Sequence, residues 1–143
     1  MCRKIMIVED EEWFARTLLL RLRRMFPEQD IEAEIAPNAN EALAHVNAAK
    51  DDAALRKHLY VVDRYIPYHQ RHSEDASYHV FPGDQVAARI KEGLAGAPVI
   101  LMSRISDDVA DSQFAIGGIP FISKANKNQL VTEIAKLLEF NNG

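Results

Sequence analysis

Short apolar runs rich in Ile and Val recur along the chain at residues 4–8, 31–35, 59–62, 99–102 and 119–122, each of strand length. Between them the apolar positions change period. Ala15, Leu18, Leu19, Leu22 and Phe26 share one helical face, while Arg16, Arg23 and Arg24 lie off it. Glu11 and Glu12 at the start of this first predicted helix, and the arginines towards its end, suit the helix dipole. Asn38 followed by Glu41 predicts an N-cap with a capping-box partner, opening a second helix through Ala42, Leu43 and Val46. Val86, Ile90 and Leu94 space a third, stopped near Gly93, Gly96 and Pro98. Ser106 caps a fourth through Val109 and Phe114, ended by Gly117 and Gly118, and Leu130, Ile134, Leu137 and Leu138 mark a fifth.

Strands that are apolar throughout, rather than alternating, belong to a sheet covered on both faces. Strand–helix alternation predicts parallel order with right-handed crossovers, so the fold class is α/β with a (βα)₅ repeat. In such sheets the ligand crevice lies beyond the carboxyl ends of the strands, at a topological switch point. One segment breaks the rhythm: residues 64–82 carry Tyr65, Tyr68, His69, His72, Tyr78, His79 and Phe81 without periodicity. A loop of that length in a small domain is functional or mobile.

Composition narrows the picture. The 143 residues are 48% hydrophobic, which accommodates one core, and a single domain over 1–143 is expected. The net charge of -4, with Lys and Arg scattered rather than clustered, argues against nucleic acid as a direct partner. Cys2 is the only cysteine, so there is no intrachain disulfide and no Cys-based zinc site. Neither a secretory leader pattern at the start nor an apolar run near the roughly 20 residues of a membrane helix is present, which points to a cytoplasmic chain without membrane insertion.

The candidate chemistry stands at the strand ends. The first predicted strand delivers Glu9 and Asp10, the third Asp63, the fourth Ser103, and the fifth leads into Lys124. Unit charges ~4 Å apart repel by about 4 kcal/mol at an effective dielectric of ~20, so three convergent carboxylates call for a cation. Oxygen-only ligands favour Mg²⁺. Lys124 as a point charge and the Ser103 hydroxyl as a donor complement an incoming phosphoryl group, and a carboxylate nucleophile completes a phosphoryl-transfer site. Taken singly, each residue has a plainer reading: the acidic residues as helix caps, Asp63 as a turn residue, Ser103 as a cap, Lys124 as a solvated lysine, Phe121 as core or rim packing. Their joint placement outweighs those readings. His69, His72 and His79 with Glu74 and Asp75 raise a transition-metal site, against which a solvated polar loop is preferred. A nucleotide-binding enzyme would need a Gly-rich turn after the first strand, where Glu9, Asp10, Glu11 and Glu12 stand instead.

The segments Ile5-Met6-Ile7-Val8-Glu9-Asp10-Glu11, Tyr60-Val61-Val62-Asp63 with Pro67, Ile100-Leu101-Met102-Ser103 and Phe121-Ile122-Ser123-Lys124 resemble, in order, the receiver-domain signature of two-component response regulators, in its single-domain, chemotaxis-regulator-like form. The resemblance spans nearly the whole chain. It implies a flavodoxin-like, doubly wound five-stranded parallel sheet in the order 2-1-3-4-5. It implies Asp63 as phospho-acceptor, with Mg²⁺ held by Glu9, Asp10 and Asp63, Lys124 and Ser103 as catalytic partners, and Ser103 and Phe121 as switch residues. The phosphoryl donor would be a sensor histidine kinase or histidine phosphotransfer protein. The output would be altered binding of a downstream protein effector through the face of the fourth and fifth predicted helices. Such a domain catalyses its own phosphotransfer and dephosphorylation rather than acting as a conventional enzyme. The alternative is a receiver-like interaction module independent of phosphorylation.

Three departures mark this chain. Arg104 follows the switch hydroxyl where the family has a small residue, and would either clasp phosphate or obstruct the donor. Tyr65 and Ile105 stand two positions beyond Asp63 and Ser103, where bulk would slow hydrolysis of the acyl phosphate. Ala125 follows Lys124 where the family commonly has a cis proline, and a non-proline cis bond costs about 2.5 to 4 kcal/mol.

Overall fold

The computed structural model describes residues 2–69, 81–104 and 118–140. Its apolar runs become strands and its periodic runs helices, in the order β1 (Cys2–Val8), α1 (Glu12–Met25), β2 (Asp30–Ala36), α2 (Ala39–Asp51), a 3₁₀ turn (Ala53–Leu55), β3 (Leu59–Asp63), α3 (Pro82–Gly93), β4 (Val99–Ser103), β5 (Phe121–Ser123) and α4 (Lys127–Leu137). The helix expected over 106–114 lies outside the described residues, so α4 is the fifth of the predicted helices.

All strand pairs are parallel, and the sheet runs β2-β1-β3-β4-β5. Side chains alternate across it because successive Cβ atoms point to opposite faces. Ile5, Ile7, Val61, Ile100 and Met102 face one way, onto Leu18 and Leu22 of α1 and Leu130 and Ile134 of α4. Met6, Val8, Tyr60, Val62 and Leu101 face the other, onto Ala42 and Val46 of α2 and Val86 and Ile90 of α3. Both faces of the sheet are covered, which is why its strands read as continuous apolar runs. None of the described helices is long and apolar enough to cross a membrane.

Helix α2 starts at the expected cap: the Asn38 side chain accepts from the Glu41 N–H at 2.9 Å. The reciprocal contact differs from a capping box, because Glu41 accepts from the Asn38 side-chain amide at 2.8 Å rather than from its backbone. Two more N-terminal donors of the helix are taken by the segment after β3. Ala39 N–H donates to the Pro67 carbonyl at 2.7 Å and Asn40 N–H to the Tyr68 carbonyl at 3.2 Å.

The expected long loop over 64–82 is therefore pinned at both described ends. Ile66 is fully buried. The Tyr68 hydroxyl donates to the Gln85 side chain, and the Asn40 side chain bonds the His69 ring at 3.0 Å. Pro82 is the first residue of α3 rather than the last of the loop, as its fixed φ and missing N–H favour. Residues 70–80, with His72, Glu74, Asp75, Tyr78 and His79, lie outside the described residues. At the far edge β5 starts at Phe121, two residues later than the apolar run suggests. Pro120, which has no N–H, instead accepts from Leu101 N–H at 2.9 Å.

Candidate functional site

The neighbours β1 and β3 mark the point where the chain switches from building one side of the sheet to the other, and their carboxyl ends bring the acidic residues together. Glu9, at the tip of β1, is fully buried, and its N–H donates to the Ala36 carbonyl at 3.0 Å. Asp10 is exposed, with its N–H on the Glu9 carboxylate at 3.1 Å. Asp63 closes β3 and is 4% exposed. One of its oxygens accepts from the Tyr65 N–H at 3.0 Å, which fixes the rotation of the carboxylate.

Lys124 reaches the site because its N–H donates to the Ser103 carbonyl at 2.7 Å, tying the end of β5 to the end of β4. Its ammonium lies 3.3 Å from the other Asp63 oxygen, contacts the Glu9 carboxylate directly and packs 4.5 Å above the Phe14 ring centroid. Followed by Ala125, Lys124 reaches Asp63. Burial opposes the charge on Lys124, but the two carboxylates beside it outweigh that and raise its pKa.

Burial, together with the hydrogen bond and charge of Asp63, pushes the Glu9 carboxyl up to about 9, and Lys124 only partly offsets this. Glu9, Asp10 and Asp63 each offer an oxygen, all within 4.8 Å of one another. This set of hard oxygen donors fits a divalent ion such as Mg²⁺.

The other expected residues take distinct places. Ser103 is fully buried at the end of β4, opposite Ser123 in register. Phe121 is half-buried against the α2–α3 side of the sheet. The Tyr65 ring makes an edge contact with Phe81, centroids 4.9 Å apart. Arg104 is exposed at the rim, and Ile105 lies outside the described residues.

Several site residues carry no obvious sequence signal. Arg64, next to Asp63, is buried, ion-paired with Asp84 at 3.3 Å and stacked 4.1 Å above the Phe81 ring. Gly83 sits against the Asp63 backbone. Glu11 reads as a cap but makes no side-chain cap bond. It turns to the Trp13 indole N–H at 3.1 Å, Lys124 at 3.8 Å and Arg104 at 3.9 Å. Only the acidic pattern at 9–12 hinted at it.

No family model and no curated protein matches the chain. Solved structures do. The phosphorylated cyanobacterial phytochrome response regulator RcpA is 20% identical, with a TM-score of 0.68 over 98% of this chain and 96% of that one. A CheY-like response regulator receiver domain protein from Methanospirillum hungatei is 20% identical, at 0.63 over 97% and 95%. The Mn²⁺-bound form of response regulator Rcp1 is 20% identical, at 0.64 over 98% and 97%.

Proposed function

Because the chain has the fold of response regulator receiver domains, we propose that it is a signalling receiver, one domain over 1–143, that accepts a phosphoryl group on Asp63 from a histidine kinase or histidine phosphotransfer protein. The observation that carries this reading is the buried Asp63 carboxylate, held by Tyr65 N–H at 3.0 Å and Lys124 at 3.3 Å and sharing an oxygen cluster with Glu9 and Asp10.

An Asp63 oxygen forms the new O–P bond as the P–N bond of the donor phosphohistidine breaks, its electron pair returning to the imidazole nitrogen. Lys124 is placed to follow the phosphoryl oxygens as charge gathers on them, and the Ser103 hydroxyl to donate to one of them. Glu9, Asp10 and Asp63 would hold Mg²⁺, which supplies neutralising charge to the phosphoryl oxygens. The acyl phosphate adds about -1.5 to -2 charge. Ser103 answers it, Phe121 turns inward, and the face of α4 and the helix predicted after Ser106 changes its affinity for a cytoplasmic protein effector. The bulk of Tyr65 and Ile105 makes self-dephosphorylation slow, which a half-life of only seconds in the purified phosphoprotein would refute.

The test is incubation with acetyl phosphate, with and without Mg²⁺, followed by intact mass of the wild type and Asp63→Asn. A Mg²⁺-dependent phosphoryl adduct missing from the variant is expected. No adduct where Mg²⁺ demonstrably binds would favour the phosphate-independent interaction module, whose partner binding would survive Asp63→Asn.

A further inference from the structure

A cleft of about 340 Å³ opens beside the acceptor, lined by Glu11, Trp13, Phe14, Arg104, Lys124 and Lys127. It carries three cations and one carboxylate, and that carboxylate is engaged by two of the cations. Glu11 lies 3.8 Å from the Lys124 ammonium and 3.9 Å from an Arg104 terminal nitrogen. Trp13 N–H holds its second oxygen at 3.1 Å. Glu11 occupies the N-cap position of α1 without capping it, so its side chain serves the cleft instead.

We propose that Arg104 is a phosphoryl-positioning residue for Asp63, held off in the resting state by a latch to Glu11 and released to the phosphoryl group when that group arrives. This rests on the receiver reading of the site. The arginine side chain is 59% exposed, and an ion pair this open to water contributes little. A phosphoryl dianion is a stronger partner for a guanidinium, which meets two of its oxygens at once. The same dianion acts on the latch from the other side. Glu11 is drawn towards Lys124, the cation that touches Asp63, so new negative charge there repels Glu11 while attracting Arg104. Arg104 directly follows Ser103, whose main chain is fastened to Lys124 through a 2.7 Å hydrogen bond, so its root stays beside the site while the side chain swings. Of the two readings that the sequence allows for this residue, clasp or obstruction, the geometry favours the clasp.

The test is the rate of labelling by acetyl phosphate with Mg²⁺, measured against donor concentration by intact mass, for the wild type, Arg104→Ala, Arg104→Lys, Glu11→Gln and Glu11→Gln/Arg104→Ala. Arg104→Ala is expected to slow labelling at limiting donor by about tenfold, with Arg104→Lys recovering part of the loss. Glu11→Gln is expected to label faster than the wild type, and that gain to vanish when Arg104 is also absent. Labelling by Arg104→Ala as fast as, or faster than, the wild type would overturn the proposal, as would a Glu11→Gln gain that persists without Arg104. A wild type that takes no phosphoryl group at all would remove the receiver reading, and this inference with it.

Discussion

Gly83 lies against the main chain of Asp63, where a Cβ at position 83 would stand 2.1 Å from the Asp63 carbonyl oxygen and 2.5 Å from the Arg64 Cα. Backbone atoms cannot yield as a flexible side chain would. The Gly83 N–H also donates to the Arg64 carbonyl at 3.1 Å, so the start of α3 rests directly on the end of β3. Gly83→Ala should therefore destabilise by about 1–3 kcal/mol through overpacking, against the roughly 1 kcal/mol that alanine normally gains over glycine inside a helix. Urea unfolding midpoints check it, and a variant more stable than the wild type would show that α3 moves freely relative to β3.

The path from pattern to site was legible where local rules operate. Continuous apolar runs revealed a sheet covered on both faces, and its polar strand ends, from Glu9 to Lys124, converge as parallel order requires. What escaped depends on contacts distant in sequence. Gly83 beside Pro82 reads as an ordinary loop-to-helix junction, and only the approach of α3 to β3 makes its missing side chain necessary. Arg64 reads as a solvated loop residue, since arginine is seldom buried unpaired. Its partner Asp84 stands 20 positions on, brought close only by the fold. Glu11 reads as a helix cap because nothing local places Arg104 and Lys124 beside it.

Mg²⁺ binding should strengthen with pH. With the Glu9 carboxyl pushed up to about 9, the cation must displace a proton from Glu9 below that pH. Apparent affinity should rise between pH 6 and 8 by at most about tenfold per pH unit, the limit for one released proton. Trp13, the chain's single tryptophan, bonds Glu11 at the rim and provides a fluorescence signal for the titration. An affinity flat across this range would mean that Glu9 is already ionised.

His45 makes stability depend on pH in the same direction. Its ring nitrogen lies 2.8 Å from the hydroxyl of the fully buried Tyr60, which also accepts the Lys57 N–H at 3.1 Å. The hydroxyl thus has its proton free for His45, which suits a neutral ring. Burial, followed by the Lys57 charge, lowers the His45 pKa, with Glu34 opposing more weakly. A depressed histidine favours the fold fully above its unfolded pKa of about 6.5, and that contribution is lost as pH falls through the lower folded value. Thermal midpoints should drop more between pH 7.5 and 5 in the wild type than in His45→Gln. Parallel pH profiles would remove His45 as the cause.

The Arg64–Asp84 pair should be costly to break from one side only. Both side chains are about nine-tenths buried and 3.3 Å apart, and the guanidinium also stacks on Phe81 at 4.1 Å and approaches the Phe121 ring centroid at 5.7 Å. Asp84→Ala takes a 3.3 Å ion-pair partner from the buried arginine, and breaking a buried pair from one side costs about 3–5 kcal/mol. Replacing both, as Arg64→Met with Asp84→Leu, removes the two charges together and should recover most of that loss. A double variant as unstable as Asp84→Ala would show that the arginine is needed for its stacking between Phe81 and Phe121 rather than for its charge. On the proposed receiver reading the same double variant also bears on signalling, because it removes the guanidinium from beside Phe121. Asp63 is then expected to label at the wild-type rate while partner binding loses its response to phosphorylation, and an unchanged response would remove Arg64 as a link between Asp63 and Phe121.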